Sequence, residues 1–183
     1  VGSIFLVLTL PVSLIVLILV TIDMGGSPLF FQLRVGRGGG VFTLFKIRTM
    51  KKFRLQNNSG SDDFVEKVYI SRFGKFLRKH RIDELPQLLN VVFGDMSLVG
   101  PRPETPEKSK KACEFLPKFQ LRTLVRPGLT GWAQINQGHT TSLDELSEKL
   151  KLDLFYIEHL TLKLDLLILI KTPLVLLSGK GGK

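Results

Sequence analysis

The chain is short of several things that usually announce a function. It has one cysteine, Cys113, in 183 residues, so no intrachain disulfide is possible and a reducing compartment is the default. Its three histidines, His80, His139 and His159, have no metal-ligand spacing with one another or with Cys113, which argues against a zinc site. The glycine-rich GRGGG at 36–40 lacks the Lys-Ser/Thr of a P-loop, so its glycines are expected to serve a turn. No internal repeat, low-complexity tract or domain linker interrupts the sequence, and its length suits one domain with a real core. Acidic residues are the scarcer charge: 16 Asp and Glu stand against 26 Lys and Arg, a net +10 with histidine neutral. That balance predicts an anionic partner, whether nucleic acid, nucleotide or anionic membrane. The basic residues come without clustered aromatics or a recognisable nucleic-acid module, so no nucleic acid is expected.

Charge is missing altogether from VGSIFLVLTLPVSLIVLILVTI, Val1 to Ile22. A bilayer's hydrocarbon layer takes roughly 20 helical residues, so this segment predicts a membrane protein. No basic region precedes it and no small-residue cleavage site follows, which fits a signal peptide poorly, although the chain starts at Val1 and residues missing upstream would weaken that objection. Pro11 falls in the middle and removes a backbone donor. A kinked spanning helix is the physically simpler outcome, since membrane helices tolerate proline. A helix–break–helix hairpin that enters and leaves one leaflet is the alternative.

Beyond this segment the pattern is α+β and predominantly helical. LFFQLRV and VFTLFKIRTM, joined by GRGGG, predict a small β-hairpin. Residues 51–63, KKFRLQNNSGSDD, read as an exposed loop. Helices are expected around Phe73–Lys79, from about Glu84 to Phe93 with Gly94 as the stop, and from about Glu107 to Val125. The intervening GPRPETP holds three prolines and cannot be regular structure. Ser142 followed by Glu145 is a capping-box signature opening a helix of about 17 residues. The last segment, LTLKLDLLILIKTPLVLL, is apolar but carries Lys163, Asp165 and Lys171, which suits an amphipathic helix in the interface plane better than a second span.

The candidate chemistry lies in RIDELPQLLN and the cations around it. Arg72, Lys75 and Lys79 share one helical face, which could simply touch anionic lipid headgroups. Lys46, Arg48, Arg102 and Arg126 lie on strands or beside turns. Arg102 between Pro101 and Pro103, and Arg126 before Pro127, have restricted directions that suit bidentate phosphate recognition. Asp83 and Glu84 point about 100° apart if helical, so they form no shared-proton dyad. With Pro86 next to them, both could merely favour a positive helix end. The functional alternative gives them separate tasks, one as nucleophile and the other as ligand of a divalent cation. Acids among so many cations are expected to stay ionised at neutral pH.

FKIRTM, IDELPQLLNVVFGDMSLVGPRPE, VRPGLTGWAQIN and DLFYIEHLTLKLDLLILIKT, in this order and spacing, resemble the bacterial sugar transferases that are monotopic phosphoglycosyl transferases. The likeness covers nearly the whole chain. It implies that the helix breaks near Pro11, giving a re-entrant membrane hairpin at 1–22 and a cytosol-facing catalytic domain with interfacial helices at 23–183. It implies transfer of a phosphosugar from a UDP-sugar to polyprenol (undecaprenyl) phosphate through a covalent aspartyl intermediate, with release of UMP, as the first membrane step of glycan assembly. Asp83 then matches the nucleophile, Glu84 the Mg²⁺ ligand, Lys46, Arg78 and Arg102 the phosphate contacts, and Arg126 a nucleotide contact. The same likeness implies the bacterial inner membrane with the active site on its cytoplasmic face, with membrane lipids as neighbours and a homodimer as one possible state. Two departures bear on specificity and size. Many relatives read NGR where this chain has INQGH, Asn136–His139, so pocket contacts there do not carry over. The short length argues against the larger relatives with several spanning helices in front, unless a long N-terminus is missing. A peripheral membrane scaffold that reads anionic lipid by charge alone is the competing class.

Overall fold

In the computed structural model, which describes residues 2–56, 64–137 and 142–177, the uncharged N-terminal run is one helix, α1 (Gly2–Met24), continuing through Pro11. Leu6–Met24 is the one helix among the described residues that is long and apolar enough to cross a membrane. Its two faces differ sharply. Val16, Val20 and Met24, spaced four apart, are buried, whereas Leu8, Leu14, Ile18 and Ile22 lie exposed. The buried stripe packs on Ile47 and Leu77, with Phe73 and Ile82 beside them. One face of α1 is therefore part of the protein core, and the other lies exposed among the described residues.

The predicted hairpin forms from β1 (Leu29–Val35) and β2 (Val41–Ile47), antiparallel with Leu29 opposite Ile47 and Val35 opposite Val41. Residues 51–56 depart from the expected loop. They form β3 (Lys51–Gln56), antiparallel to β4 (Phe64–Tyr69). Polar composition suggested a loop there, but a strand's demand is only that its backbone groups find partners, and β4 supplies them.

Helix α2 (Arg72–Lys79) starts at Ser71, whose Oγ accepts from the Gly74 amide at 2.9 Å and donates to Asp23 Oδ2 at 2.5 Å. The same serine thus caps α2 and ties it to the end of α1. Gly74 allows close approach here, because a Cβ would sit 2.6 Å from the Thr49 carbonyl.

The helix expected from Glu84 begins later. Ile82–Glu84 is a 3-10 turn, entered through Arg81 in the left-handed region (φ 53°), and α3 (Gln87–Phe93) follows Pro86. Proline's missing donor and fixed φ separate the turn from the helix. The helix expected over Glu107–Val125 is also split, into α4 (Pro106–Phe115) and a 3-10 segment, Pro117–Leu124. Pro117 drives Leu116 out of the helical region, to φ −131° and ψ 84°.

Between these lies β5 (Ser97–Val99), parallel to β6 (Gly128–Thr130). The pair brings GPRPE against PGLTG. The helices α5 (Trp132–Asn136), α6 (Leu143–Glu158) and α7 (Leu162–Leu177) complete the chain. The α6 capping box is present in full, with Ser142 and Glu145 each accepting from the other's backbone amide. Of the atypical Asn136–His139 loop, residues 138 and 139 lie outside the described residues.

One polar side chain fixes how these parts meet. Asn90 of α3 is fully buried. Its Oδ1 accepts from the Phe45 amide at 3.1 Å, and its Nδ2 donates to Thr43 O at 2.8 Å and Asp95 Oδ2 at 3.3 Å. It thereby closes the free edge of β2 next to Lys46. Asn90→Ala leaves a buried amide and carbonyl unpaired and is expected to cost about 3 kcal/mol, read as a lower urea midpoint at unchanged slope.

Candidate functional site

Strand β2 delivers Lys46, the 3-10 turn delivers Asp83 and Glu84, and the chain after β5 delivers Arg102. They converge on Glu84. Arg102 grips it with both arms of the guanidinium, Nη1 to Oε2 at 3.2 Å and Nη2 to Oε1. Lys46 Nζ lies 3.4 Å from Oε1, and Arg81 Nη1 lies 3.5 Å from Oε2. Neither acid serves as a helix cap, since α3 has no side-chain cap.

The two carboxylates sit in opposite electrostatic conditions. Burial alone would raise Glu84, but the charge and hydrogen bonds of Arg102, with Lys46 and Arg81, hold it far below the usual carboxylate range. Asp83 is just as buried, 8 % exposed, yet forms no hydrogen bond or ion pair among the described residues. Burial first, and then the Glu84 charge, push its pKa up; Lys46, Arg78 and Arg102 pull it back only in part. Glu84 meets the expectation of a firmly ionised acid. Asp83 departs from it in direction, because burial and the Glu84 charge outweigh the pull of Lys46, Arg78 and Arg102.

Arg102 is itself held by the backbone around it. The segment has few donors of its own, since Pro101 and Pro103 have no N–H. Its carbonyls are gripped instead: Arg122 Nη2 binds Arg102 O at 2.7 Å, Arg34 Nη1 binds Pro103 O at 2.9 Å, and the Val35 amide binds Glu104 O at 2.9 Å. Arg122 is anchored in turn by buried Asp153 of α6 at 2.8 Å. Glu104 pairs with Lys149 of α6 at 2.7 Å. These partners were not foreseen. Arg34, Arg122, Asp153 and Lys149 look like surface charges in the sequence, and only the lone Asn90 within an apolar run carried a signal.

The remaining candidates are spread out. Arg78 donates from Nε to Thr49 Oγ1 at 2.8 Å and acts on Asp83 through its charge. Arg126 is exposed beside Gly94, at the opposite end of α3 from the acid pair. A cation there also complements the negative end of α3.

Magnesium is the cofactor implied by the resemblance. Among the described residues no group of three metal-ligating side chains gathers to cage an ion. The site does fit the usual magnesium arrangement of one or two carboxylates completed by substrate phosphates and water. Both Glu84 oxygens are engaged by cations. A diphosphate offering those cations new partners would release lone pairs on Glu84 for the metal.

The model for the bacterial sugar transferase family matches residues 1–179. The chain is 38% identical over 175 residues to a UDP-N-acetylgalactosamine-undecaprenyl-phosphate N-acetylgalactosaminephosphotransferase of Aeromonas hydrophila, covering 94% of this chain and 41% of that protein. It is 36% identical over 172 residues to a UDP-glucose:undecaprenyl-phosphate glucose-1-phosphate transferase of Xanthomonas campestris pv. campestris, covering 93% of this chain and 36% of that one. Against the Bacillus subtilis sugar transferase EpsL it is 42% identical over 161 residues, 85% of this chain and 73% of EpsL. The chain thus spans well under half the length of the first two relatives.

Proposed function

Since this chain belongs to the bacterial sugar transferase family, we propose that it transfers a phosphosugar from a UDP-sugar to undecaprenyl phosphate. The observation that carries the chemistry is the division of labour between adjacent acids: Glu84 tied to three cations, Asp83 buried and unpaired among the described residues. In the first step an Asp83 carboxylate oxygen attacks the β-phosphorus of the donor. The anhydride bond breaks, UMP leaves with the bridging oxygen, and the phosphosugar stays on Asp83 as an acyl phosphate. In the second step a phosphate oxygen of the prenyl acceptor attacks the same phosphorus and restores the Asp83 carboxylate. Magnesium held by Glu84 and the diphosphate would neutralise phosphate charge. Lys46 and Arg102, leaving Glu84, and Arg78 beside Asp83 would cradle the transferred phosphoryl oxygens. Arg126 is assigned to the nucleotide.

The protein with Mg²⁺ should release UMP from at least one member of a UDP-sugar panel and gain the mass of one phosphosugar in the absence of acceptor. No release from any member would defeat the proposal.

The charge states set the pH range. Turnover needs Asp83 ionised and Lys46 protonated. Asp83 is shifted up, while burial, then Arg102 and Arg34, shift Lys46 down against the pull of Glu84 and Asp83. The expected kcat/KM profile is a bell whose acid limb lies above an ordinary aspartate and whose alkaline limb lies below an ordinary lysine. An acid limb at the unperturbed aspartate position would contradict this.

Helix α1 runs unbroken through Pro11 and so lacks the expected break there. In a bilayer we propose that it bends at this proline, which has no backbone donor, and enters and leaves one leaflet. Both of its ends rest on the same body. Gly2 approaches α3 so closely that a Cβ would lie 2.9 Å from Val91 Cγ1, while Met24 packs with Ile47 and Leu77. A helix crossing about 30 Å of hydrocarbon would part those ends to opposite sides. Cysteines introduced at Ser3 and Gly26 should therefore both react with an impermeant reagent from the cytoplasmic side. Labelling from opposite sides would instead mean a span.

A further inference from the structure

The stretch headed by the acid pair, IDELPQ, closes on Gln87, a residue to which the proposed reaction gives no task. Gln87 is 2 % exposed, and its Nε2 has no hydrogen-bond partner among the described residues. Asn90 on the same helix is equally buried, but its amide is satisfied by β2 and Asp95. A buried donor left unpaired carries its whole desolvation penalty, so the Gln87 amide weakens the fold where the Asn90 amide organises it. The surroundings of Gln87 are fixed from both sides. On its C-terminal side Asn90 binds the backbone of Thr43 and Phe45; on its N-terminal side Glu84 meets Lys46 of the same strand. Leu85 and Pro86 keep right-handed helical backbone between the 3-10 turn and α3. Asp83, Gln87 and Asn90, spaced by four and three residues, therefore lie on one side of that backbone. Helical side chains lean toward the N-terminal end, which carries Gln87 over the turn that bears Asp83.

We infer that Gln87 is a catalytic residue whose Nε2 donates a hydrogen bond to a non-bridging oxygen of the phosphorus that Asp83 attacks; this rests on the proposed transferase reaction. A carboxylate without a donor and an amide hydrogen without an acceptor lie one turn apart and do not bond each other. A phosphoryl group seated between them satisfies both, its phosphorus meeting the Asp83 oxygen and one of its oxygens taking the amide hydrogen. Lys46, Arg81 and Arg102 are held by Glu84 before any substrate arrives. The Gln87 donor has no such partner to leave. It is also neutral, and it keeps both its hydrogens while the bond from phosphorus to the UMP oxygen breaks and the bond to Asp83 forms. A fixed donor at a phosphoryl oxygen acts most strongly in the transition state, where water is excluded and the charge is being redistributed.

Gln87→Met keeps the length of the side chain and removes the donor, and Gln87→Leu does the same should methionine repack the seam. The reaction followed is formation of the phosphosugar adduct without acceptor, from the UDP-sugar that the panel identifies. Its rate at saturating donor should fall about 100-fold or more, while the donor concentration at half-saturation stays within about threefold. The acid limb of its pH profile should not move. Tm should not fall, because the native amide nitrogen has no partner to lose. A rate within about threefold of the parent's would overturn the assignment. So would a rate loss accompanied by a displaced acid limb, since Gln87 would then act by tuning Asp83 and not on the substrate. A lower Tm in both variants would show the amide to be part of the fold and would overturn it as well. Absence of any adduct in the parent would instead defeat the transferase reading, which keeps the two failures apart.

Discussion

Asp83→Asn is expected to abolish turnover and adduct formation while leaving the protein at least as stable as its parent. The two halves of that expectation share one cause. Asp83 is buried without a hydrogen bond or ion pair among the described residues, and its pKa is raised by burial and by Glu84. A raised native pKa means that the folded protein prefers the protonated acid. The group's contribution to stability is fully present below the ordinary aspartate pKa and is lost as pH rises through the raised native value. As pH rises through that raised value the fold takes on the disadvantage of an ionised Asp83, and a neutral amide of the same shape removes it. The same oxygen is the proposed nucleophile, and an amide cannot replace it, so turnover should fall by about four orders of magnitude or more. UMP release, intact mass and thermal unfolding at two pH values measure all of this. Residual turnover near the parent's would remove Asp83 from the nucleophile's role, and a marked fall in Tm would contradict the electrostatic account.

Glu84→Gln should behave in the opposite way and lose stability together with activity. Glu84 is the common partner of Lys46, Arg81 and Arg102. Without its charge these three cations face one another across a site that is mostly closed to water. Removing one partner of a buried pair costs about 3–5 kcal/mol, and partial exposure of Arg102 and Arg81 places this case near 3. A protein of this size should then melt about 6–12 °C lower. The pH dependence is distinctive. Because the Glu84 pKa is lowered, its contribution is present above the ordinary glutamate pKa and lost only as pH falls through the depressed native value. The gap between parent and variant should therefore persist through neutral and mildly acidic pH and close only under strong acid. Equal melting temperatures at pH 7 would show that the three cations do not depend on Glu84. The contrast between neighbouring residues is the sharper test, since a general disturbance of the turn would move both variants the same way.

The elements that were legible in the sequence are those whose signals are local. The 22 uncharged residues of the N-terminus, the glycine-rich turn between β1 and β2, and the Ser142–Glu145 box each state their structure within a few residues. The misplaced elements failed for equally specific reasons. Residues 51–56 have a polar composition, and the strand they form depends on a partner that begins at Phe64. The long helix expected over Glu107–Val125 ignored Pro117, whose ring and missing donor end the first helix at Phe115. Pro86 likewise divides the acid-bearing turn from α3.

By itself the sequence determined the cast: a proline-containing apolar helix, an adjacent acid pair, a surplus of cations fixed near prolines, and family membership through ordered motifs. Those follow from residue identity and spacing, which chain folding does not alter. Only the tertiary structure decided how the charges are shared. Lys46, Arg81 and Arg102 come from three separate stretches and all choose Glu84, leaving Asp83 buried and comparatively poor in partners. Arg122 and Asp153, 31 residues apart, hold the Arg102 backbone. A cavity lined by Thr9 of α1 and by Leu169 and Thr172 of α7 likewise draws on stretches far apart in the sequence. Electrostatics and burial depend on distances through space, and a charge beside another in sequence is not thereby its partner. Asp83 and Glu84 are neighbours with the same charge and opposite surroundings, and that difference exists only once the chain has folded.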